Sequence, residues 1–219
     1  MEPLHHFYHV YADGDWGEAV RDHFDALQRF GLHDALDALM IGFVGCPDNI
    51  ERVKVQLQVL GVNYTTAVEV AAGWEQVTLQ KLHEFTRENK GLVSYAHTKG
   101  ASHPEPITRV WRRSMEYFNF VRWENMVSHL EHGAKIAGCH WLPAARAENP
   151  VWGSSGFFGG TYWWSHCSVL AESPLIDHAT RHSAEHWIGQ ISEVQDLSPQ
   201  FIYDANPQNI APDTLIWDW

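Results

Sequence analysis

The chain has 219 residues, of which 45% are hydrophobic, and its formal net charge is −12 at pH 7. This length and apolar fraction predict one folded domain over residues 1–219 and argue against a globally disordered chain. The acidic balance argues against nucleic acid as a partner, because a nucleic-acid backbone is bound by a basic surface.

The 3 cysteines include no C-x-x-C pair, which argues against a disulfide scaffold and favours a reducing, cytoplasmic setting. No apolar run approaches the ~20 residues of a membrane-spanning helix, and no signal peptide is visible at the start. We therefore expect a cytoplasmic protein without a membrane span.

The first hundred residues alternate apolar runs with amphipathic stretches. Aromatic and β-branched runs predict four strands, at residues 7–11, 39–44, 64–70 and 92–96. Helices are predicted between them, over 50–60, over 73–89 and after Asp15. Asp15 and Glu18 have the spacing of a capping box, and Gly31 is placed to end that first helix.

The second half of the chain has a different pattern. Apolar residues at helical spacing predict a long helix over 107–132, and residues 138–162 form a segment rich in Gly, Pro and aromatics. Residues 171–190 are predicted to be helical in their later part. The alternation in the first half predicts an α/β fold, with a mostly parallel sheet covered by helices on both faces.

The fourth predicted strand ends in the polar sequence His97, Thr98, Lys99, Gly100. Ligands of parallel sheets bind beyond the carboxyl ends of the strands. An imidazole, a hydroxyl, an ammonium and a glycine at that edge are suited to an anionic ligand. The competing interpretation is a polar turn without a ligand.

Two further groups of residues have the composition of metal sites. Asp13 and Asp15 read D-x-D, a pair of carboxylates that can share a hard divalent cation, although an N-cap turn explains Asp15 equally well. His178, His182 and His186 lie four residues apart, but three consecutive turns of one helix span ~12 Å, too far for one ion. A solvated histidine face is the preferred interpretation.

Glycines and aromatics cluster in residues 157–164, with the sequence FFGGTYWW. Glycine permits close backbone approach to a ligand, and tryptophan offers a stacking face to a sugar ring. A loop packed on the core is the equally weighted alternative. Downstream, the sequence AEHWIG contains Glu185, a candidate base or hydroxyl ligand, and Trp187.

In their order and spacing these motifs resemble a bacterial and phage family of glycosyltransferases with a GT-A-like fold. The matching segments are GWEQVTL (73–79), HTKG (97–100), WR (111–112), ME (115–116), FGGTYWW (158–164) and EHWI (185–188). The resemblance spans about residues 7–189. It implies an enzyme that moves a sugar from a UDP- or GDP-sugar to a glycan or protein acceptor, such as a phage or cell-surface component, in the cytoplasm or the host cytoplasm.

The resemblance also implies roles for individual residues. The implied nucleotide-binding half, residues 1–102, carries the donor-binding residues Tyr11, Asp13, Glu75, Thr78, His97, Thr98, Lys99 and Gly100. The implied acceptor half, residues 103–219, carries the sugar-binding residues Gly159, Gly160, Thr161, Trp163, Trp164 and Trp187. Catalytic roles fall to Lys99, His97 and Glu185. A requirement for Mn²⁺ or Mg²⁺ stays open, with His97 or Asp13 as the candidate ligand.

Two departures from the family pattern keep other functions open. Gly159 and Thr161 replace a serine and an asparagine of the family's loop, and HTKG stands where a D-x-D pair is expected. The first alternative function is a carbohydrate-binding or interaction module on a transferase scaffold, without catalysis. The second is a zinc hydrolase that uses the histidines.

Overall fold

The computed structural model describes residues 2–142, 156–178, 180–191 and 193–196. Part of the predicted Gly-rich segment (143–155) and the chain after residue 196 lie outside the described residues. The first half contains the elements β1 Leu4–Tyr11, α1 Gly17–Arg29, α2 Leu32–Ala35, β2 Ala38–Val44, α3 Pro47–Val59, β3 Thr65–Val70, α4 Gln76–Glu88 and β4 Leu92–His97. All four predicted strands of this half are confirmed.

The second half has shorter elements. They are α5 Pro106–Glu116, a π-helix Tyr117–Val121, α6 Trp123–Glu131, β5 Ile136–Gly138, β6 Trp141–Leu142, β7 Phe157–Phe158, β8 Trp163–His166, α7 Cys167–Ala171, α8 Ser183–Ile188 and β9 Val194–Asp196. Helix α8 confirms helical structure in the later part of 171–190. Among the described residues, no helix is long and apolar enough to cross a membrane.

Seven of the described strands form one sheet in the order β3-β2-β1-β4-β8-β5-β9. The pairs β3–β2, β2–β1 and β1–β4 are parallel, whereas β8 runs antiparallel to both β4 and β5. The two short strands β6 and β7 pair separately. The sheet is therefore mostly parallel, and the predicted α/β architecture is confirmed.

Helices cover both faces of the sheet. Phe7 and Tyr8, neighbours on β1, point to opposite faces, as the alternation of side chains along a strand requires. Tyr8 packs in a core with residues of α1, α3 and α6, while Phe7 packs in a second core with residues of α4, α7 and α8. Burial on both faces explains why β2 reads as a continuous apolar run, and it also buries the three histidines of β1, His5, His6 and His9.

The predicted long helix over 107–132 is interrupted by the π-helix. Within it, the Asn119 side chain donates to the Met115 carbonyl, and the Asn119 carbonyl accepts a hydrogen bond from the Trp164 indole at 3.0 Å. A π-turn leaves a carbonyl available for such a partner. The interruption therefore joins the helical layer to strand β8.

One predicted helix end is confirmed and one predicted helix start is wrong. Helix α1 stops just before Gly31, which has a φ of 78°. The N-cap of α1 is Trp16 and no side chain caps the helix, so Asp15 does not form the predicted capping box. Instead the backbone N–H of Asp15 donates to the Ala101 carbonyl at 2.8 Å, which joins the loop after β1 to the loop after β4.

Candidate functional site at the carboxyl edge of the sheet

A pocket of about 780 Å³ lies at the carboxyl ends of β1 to β4. The loops after these strands and helix α5 provide most of its lining, and the segment at the start of α8 completes it. Its lining comprises His9, Tyr11, Asp13, Val44, Ala71, Ala72, Gly73, Trp74, Glu75, His97, Thr98, Lys99, Gly100, Ser102, His103, Thr108, Trp111, Arg181, His182 and Glu185. This is where the topology of a parallel sheet places ligands.

The end of β4 is held against the end of β1 by hydrogen bonds. The Thr98 backbone N–H donates to the His9 carbonyl at 2.9 Å, and the Thr98 hydroxyl accepts from the Tyr11 N–H at 2.9 Å. Thr98 is buried by these contacts. The predicted donor-binding residues Tyr11, Thr98, Lys99 and Gly100 thus come together on one pocket wall.

Lys99 directs its ammonium group along this wall. Its Nζ lies 4.5 Å from the centroid of the Trp111 ring, a cation–π contact. The Lys99 carbonyl accepts a hydrogen bond from Arg112, whose guanidinium is held by Asp22 at 2.8 Å. Lys99 makes no ion pair with any residue that the structure describes. A cation without a carboxylate partner is therefore presented to the pocket.

Glu75, His97 and Tyr95 form a hydrogen-bonded row at the pocket floor. The Tyr95 hydroxyl donates to Glu75 Oε2 at 3.2 Å, and Glu75 Oε1 lies 3.2 Å from His97 Nδ1. On its other side, His97 Nε2 donates to the Gly160 carbonyl at 2.9 Å. Two of the predicted site residues, Glu75 and His97, are therefore in direct contact.

Burial shifts the pKa values of both partners. Desolvation, followed by repulsion from Glu185, raises the pKa of Glu75 to about 8, against the smaller opposite effects of Lys99, the Tyr95 hydrogen bond and Arg181. Desolvation, followed by the charge of Lys99, lowers the pKa of His97 well below its usual value. At pH 7 the pair is a neutral imidazole beside a carboxylic acid.

The start of α8 brings Glu185 to the far wall. Its carboxylate is 3.9 Å from His182 Nδ1, and its side chain is 27% exposed. The Gln76 side chain donates a hydrogen bond to the Thr180 carbonyl, which ties the first turn of α4 to this segment. Glu185, on α8, and Glu75, the residue before α4, therefore face one pocket.

The predicted metal ligands do not form a cation site. Asp13 Oδ1 accepts hydrogen bonds from the Cys46 N–H at 2.8 Å and from Asn49 Nδ2 at 2.9 Å, which lower the pKa of Asp13. Both ring nitrogens of His97 already have partners. Across the described ranges, no three His, Cys, Asp or Glu side chains are grouped so that they could hold a metal ion. The residues present do not fit the divalent cation that a GT-A-like fold implies.

Thr78 does not line the pocket, although it belongs to the predicted donor-binding set. It is buried, and its hydroxyl hydrogen-bonds His9 Nδ1 at 2.7 Å. Burial lowers the pKa of His9 to about 3, so this ring is neutral at pH 7. Thr78 therefore lies behind the pocket residue His9, which it hydrogen-bonds.

The tryptophans predicted to bind sugar lie in the protein core. Trp163 stacks on Tyr95, and the indole N–H groups of Trp164 and Trp187 donate to the carbonyls of Asn119 and Pro174. Each of the three is at most 1% exposed. Their predicted contact with a sugar does not fit this structure, because β8 lies inside the sheet with helices on both faces.

Gly159, Gly160 and Thr161 are also buried and form the turn between β7 and β8. None of them lines the pocket, but the Gly160 carbonyl holds His97 as described above. The Tyr162 hydroxyl donates to the His97 carbonyl at 2.7 Å. The turn and Tyr162 therefore hold the pocket residue His97 in position, whereas Gly159, Gly160 and Thr161 were predicted to contact an acceptor.

Two aromatics line the pocket that were not predicted as site residues, the exposed Trp74 and the half-buried Trp111. Trp74 is 53% exposed in the loop between β3 and α4, and Trp111 lies on α5. Both stand at helical spacing in the sequence, a pattern that indicates a buried stripe. Arg181 was not predicted, and His182 was considered only as a member of the histidine series; both line the pocket beside the predicted Glu185.

The three histidines spaced by four do not share a helical face. Helix α8 begins at Ser183, so His182 is its N-cap and His178 lies outside the helix. His182 is beside Glu185, and the His186 ring meets Phe157 edge-on. These positions remove the geometric basis of the zinc-hydrolase alternative.

Comparison with known protein families shows to which family the chain belongs. Residues 7–168 match the family described as "Domain of unknown function (DUF8361)". The chain belongs to this family. The DUF8361 description gives no activity, and no curated protein matches the chain.

Solved structures similar to this DUF8361 chain include the mannosyltransferase PcManGT from Pyrobaculum calidifontis in complex with GDP-Man and Mn2+. The TM-score is 0.53 at 12% identity, over 91% of this chain and 55% of the mannosyltransferase. A 4-diphosphocytidyl-2C-methyl-D-erythritol synthase has a TM-score of 0.48 at 10% identity, over 93% and 96% of the two chains. A mycobacterial protein has a TM-score of 0.47 at 14% identity, over 79% and 56%.

The likeness to the mannosyltransferase concerns the fold. It confirms the predicted GT-A-like α/β architecture. The DUF8361 chain spans about half of the length of that enzyme, so the substrates of the longer protein do not transfer with the fold.

Proposed function

We propose that the protein transfers a sugar from a nucleotide-sugar donor to an acceptor in the pocket at the carboxyl edge of the sheet. The observation that carries this proposal is the ammonium group of Lys99, which faces a 780 Å³ pocket and has no carboxylate partner among the described residues. A cation kept free at a strand end contributes little to folding and is suited to an anionic ligand.

The chemistry of the donor matches this placement. When the glycosidic bond of a UDP- or GDP-sugar breaks, negative charge develops on the leaving diphosphate. A fixed cation at the position of that charge stabilises the transition state more than the ground state. Lys99 supplies the cation, and Arg112, anchored by Asp22, holds the Lys99 carbonyl and so the backbone in place.

The pocket divides into a donor side and an acceptor side. Tyr11, Asp13 and Thr98, at the ends of β1 and β4, bind the nucleotide in this proposal, with residues 1–102 as the nucleotide-binding half. Trp74, which is exposed, offers an aromatic face to a sugar ring, the role predicted from sequence for the buried tryptophans. Glu185, on α8, accepts the proton of the attacking hydroxyl.

The mannosyltransferase of similar fold carries GDP-Man and Mn2+, which supports a nucleotide-sugar donor for this chain. The side chains near Lys99 do not fit such a cation, and no step of this proposal passes through one. A glycan or a protein, including a cell-surface or phage component, is the proposed acceptor, and the proposed setting is the cytoplasm.

Calorimetric titration with UDP and with GDP tests the proposal directly. We expect one of the two to bind the wild-type protein at a single site. A screen of UDP-glucose, UDP-N-acetylglucosamine and GDP-mannose for slow hydrolysis, with EDTA or with Mn²⁺, then identifies the donor. Binding of free saccharides without binding of either nucleotide would favour the carbohydrate-binding module over the transferase.

A further inference from the structure

The contact between Glu75 and His97 requires a proton. The Gly160 carbonyl can only accept a hydrogen bond, so His97 Nε2 carries a hydrogen. The neutral ring then presents a lone pair at Nδ1, and this atom lies 3.2 Å from Glu75 Oε1. Two acceptors at this distance repel each other unless a proton lies between them. The Glu75–His97 pair therefore holds one proton inside the pocket.

The surroundings keep this proton on the carboxyl group. Tyr95 and His97 face Glu75 from β4, Lys99 from the loop after β4, and Glu185 and Arg181 from the segment at α8. Desolvation and the carboxylate of Glu185 favour the neutral acid, and these effects outweigh Lys99, Tyr95 and Arg181. His9, on β1, disfavours a charged His97. An uncharged acid on the pocket floor also does not repel a bound diphosphate.

We propose that Glu75 is a catalytic acid that donates this proton to the leaving diphosphate, with Tyr95 and His97 as positioning residues. The inference rests on the proposed transferase function and adds a residue that carries out part of its chemistry. Glu75 lines the pocket, and its side chain is 19% exposed there, so its carboxyl group is within reach of a ligand. Lys99, in the same pocket, supplies the fixed charge and Glu75 the mobile proton.

The proposed step is balanced. The bond between the anomeric carbon and the diphosphate oxygen breaks, and its electron pair stays on that oxygen, which takes the proton from Glu75. The acceptor hydroxyl forms the new bond to the anomeric carbon and gives its proton to Glu185. Glu75 is left as a carboxylate stabilised by the Tyr95 hydroxyl, and solvent exchange returns both groups to their resting states.

The Glu75→Gln variant separates this role from packing. The amide of glutamine keeps both hydrogen bonds, since its nitrogen donates to His97 Nδ1 and its oxygen accepts from Tyr95, but it has no acidic proton. We expect UDP or GDP affinity at pH 7 within about threefold of wild type, and a rate of donor turnover lower by ~100- to 10,000-fold. Glu84→Gln, on the solvent side of α4, the helix that begins directly after Glu75, is the matched control and should behave as wild type.

A second readout does not depend on turnover. At pH 8.5 an acid with a pKa near 8 is about three-quarters ionised, and binding of a diphosphate beside it favours the protonated form. Calorimetry of UDP or GDP binding in two buffers of different ionisation enthalpy should therefore show uptake of roughly half a proton by wild type and none by Glu75→Gln. Tyr95→Phe removes a hydrogen bond that favours the carboxylate, and should move the alkaline limit of turnover to higher pH.

The outcomes distinguish the two proposals. Nucleotide binding by wild type with no proton uptake, or a Glu75→Gln variant that turns the donor over at a near-normal rate, would overturn the acid role and leave the transferase proposal intact. Failure of the wild-type protein to bind UDP and GDP would remove both. Linked proton uptake that disappears in Glu75→Gln, together with lost turnover and kept affinity, supports the inference.

Discussion

The ammonium group of Lys99 rests on the indole of Trp111 and not against a carboxylate. A methionine at this position keeps an unbranched stem over the ring and removes the charge. We expect Lys99→Met to lower the affinity for UDP or GDP about 10- to 100-fold, the loss of a charge-assisted hydrogen bond of ~1.5–3 kcal/mol. The melting temperature should change by no more than about 3 °C, because the methionine stem keeps its packing on Trp111 and no ion pair with a described residue is lost. Titration calorimetry and thermal unfolding measure the two effects.

Lys81→Met is the matched control for this prediction, because Lys81 is exposed on α4 and pairs with Glu84 away from the pocket. It should leave nucleotide affinity unchanged. A large fall in melting temperature with normal nucleotide affinity for Lys99→Met would show that Lys99 is a structural residue.

At the scale of single residues, the sequence predicted where a side chain lies in the fold better than it predicted which side chains it contacts. Lys99 and His97 could be placed at a strand end from composition alone, since polar residues that follow a buried strand must lie at the sheet edge. The pairing of His97 with Glu75 joins residues from different loops, and local sequence does not specify it. Trp163 and Trp164 were predicted to bind sugar but are buried in the core. A tryptophan in a core and a tryptophan that stacks on a sugar cannot be distinguished from local sequence.

At the scale of elements, two loops approach each other closely at Gly14. A Cβ atom there would lie 2.3 Å from the Ala101 carbonyl oxygen, in the loop that follows β4. The same carbonyl accepts the N–H of Asp15. We expect Gly14→Ala to force the loops apart and to cost ~1–3 kcal/mol of unfolding free energy. Nucleotide affinity should fall with it, because these loops carry Asp13 and Lys99 on the pocket wall.

Gly17→Ala is the control for this prediction. The nearest atoms to its added Cβ are 3.9 Å away, and Gly17 begins helix α1, where alanine is well tolerated. Chemical denaturation should show no loss of stability for Gly17→Ala. Equal stability of Gly14→Ala and wild type would mean that the loops separate without cost, contrary to the expectation.

The elements of the first half could be predicted because strands and helices alternate regularly along this part of the chain. Strands β1, β2, β3 and β4 alternate with helices, and this alternation specifies a parallel sheet. Strand β8 enters the same sheet beside β4 in the antiparallel sense, from more than sixty residues away. Periodicity does not report such a pairing. The sequence around its tryptophans therefore predicted a ligand-binding loop in place of a buried strand.

At the scale of the whole molecule, several buried histidines make stability depend on pH. Burial lowers the pKa values of five described histidines and keeps their rings neutral: His6, His9, His23, His97 and His140. His6 and His23 also hydrogen-bond each other at 2.8 Å, in a buried chain that continues to Glu116. Burial raises the pKa values of two carboxyl groups, Glu75 and Glu116.

These two sets act in opposite directions on acidification. Below pH 6.5 the unfolded chain protonates its histidines while the folded chain does not, so each buried histidine costs ~1.4 kcal/mol per pH unit. The two carboxyl groups already hold protons in the fold, so the fold gains the same amount from each as the pH falls towards 4.5. This full slope is reached only well below pH 6.5, where the unfolded histidines are fully charged. Between pH 6.5 and 5.5 each histidine costs about 1 kcal/mol, so five histidines against two carboxyls leave a net loss of about 2.5 kcal/mol over this range. We expect the melting temperature to fall by about 5–10 °C between pH 6.5 and 5.5, in a series of thermal unfolding scans. Replacement of the exposed His132 by glutamine is the control and should leave this pH dependence unchanged. A melting temperature that stays constant or rises over this range would mean that the buried imidazoles do not stay neutral in the folded protein.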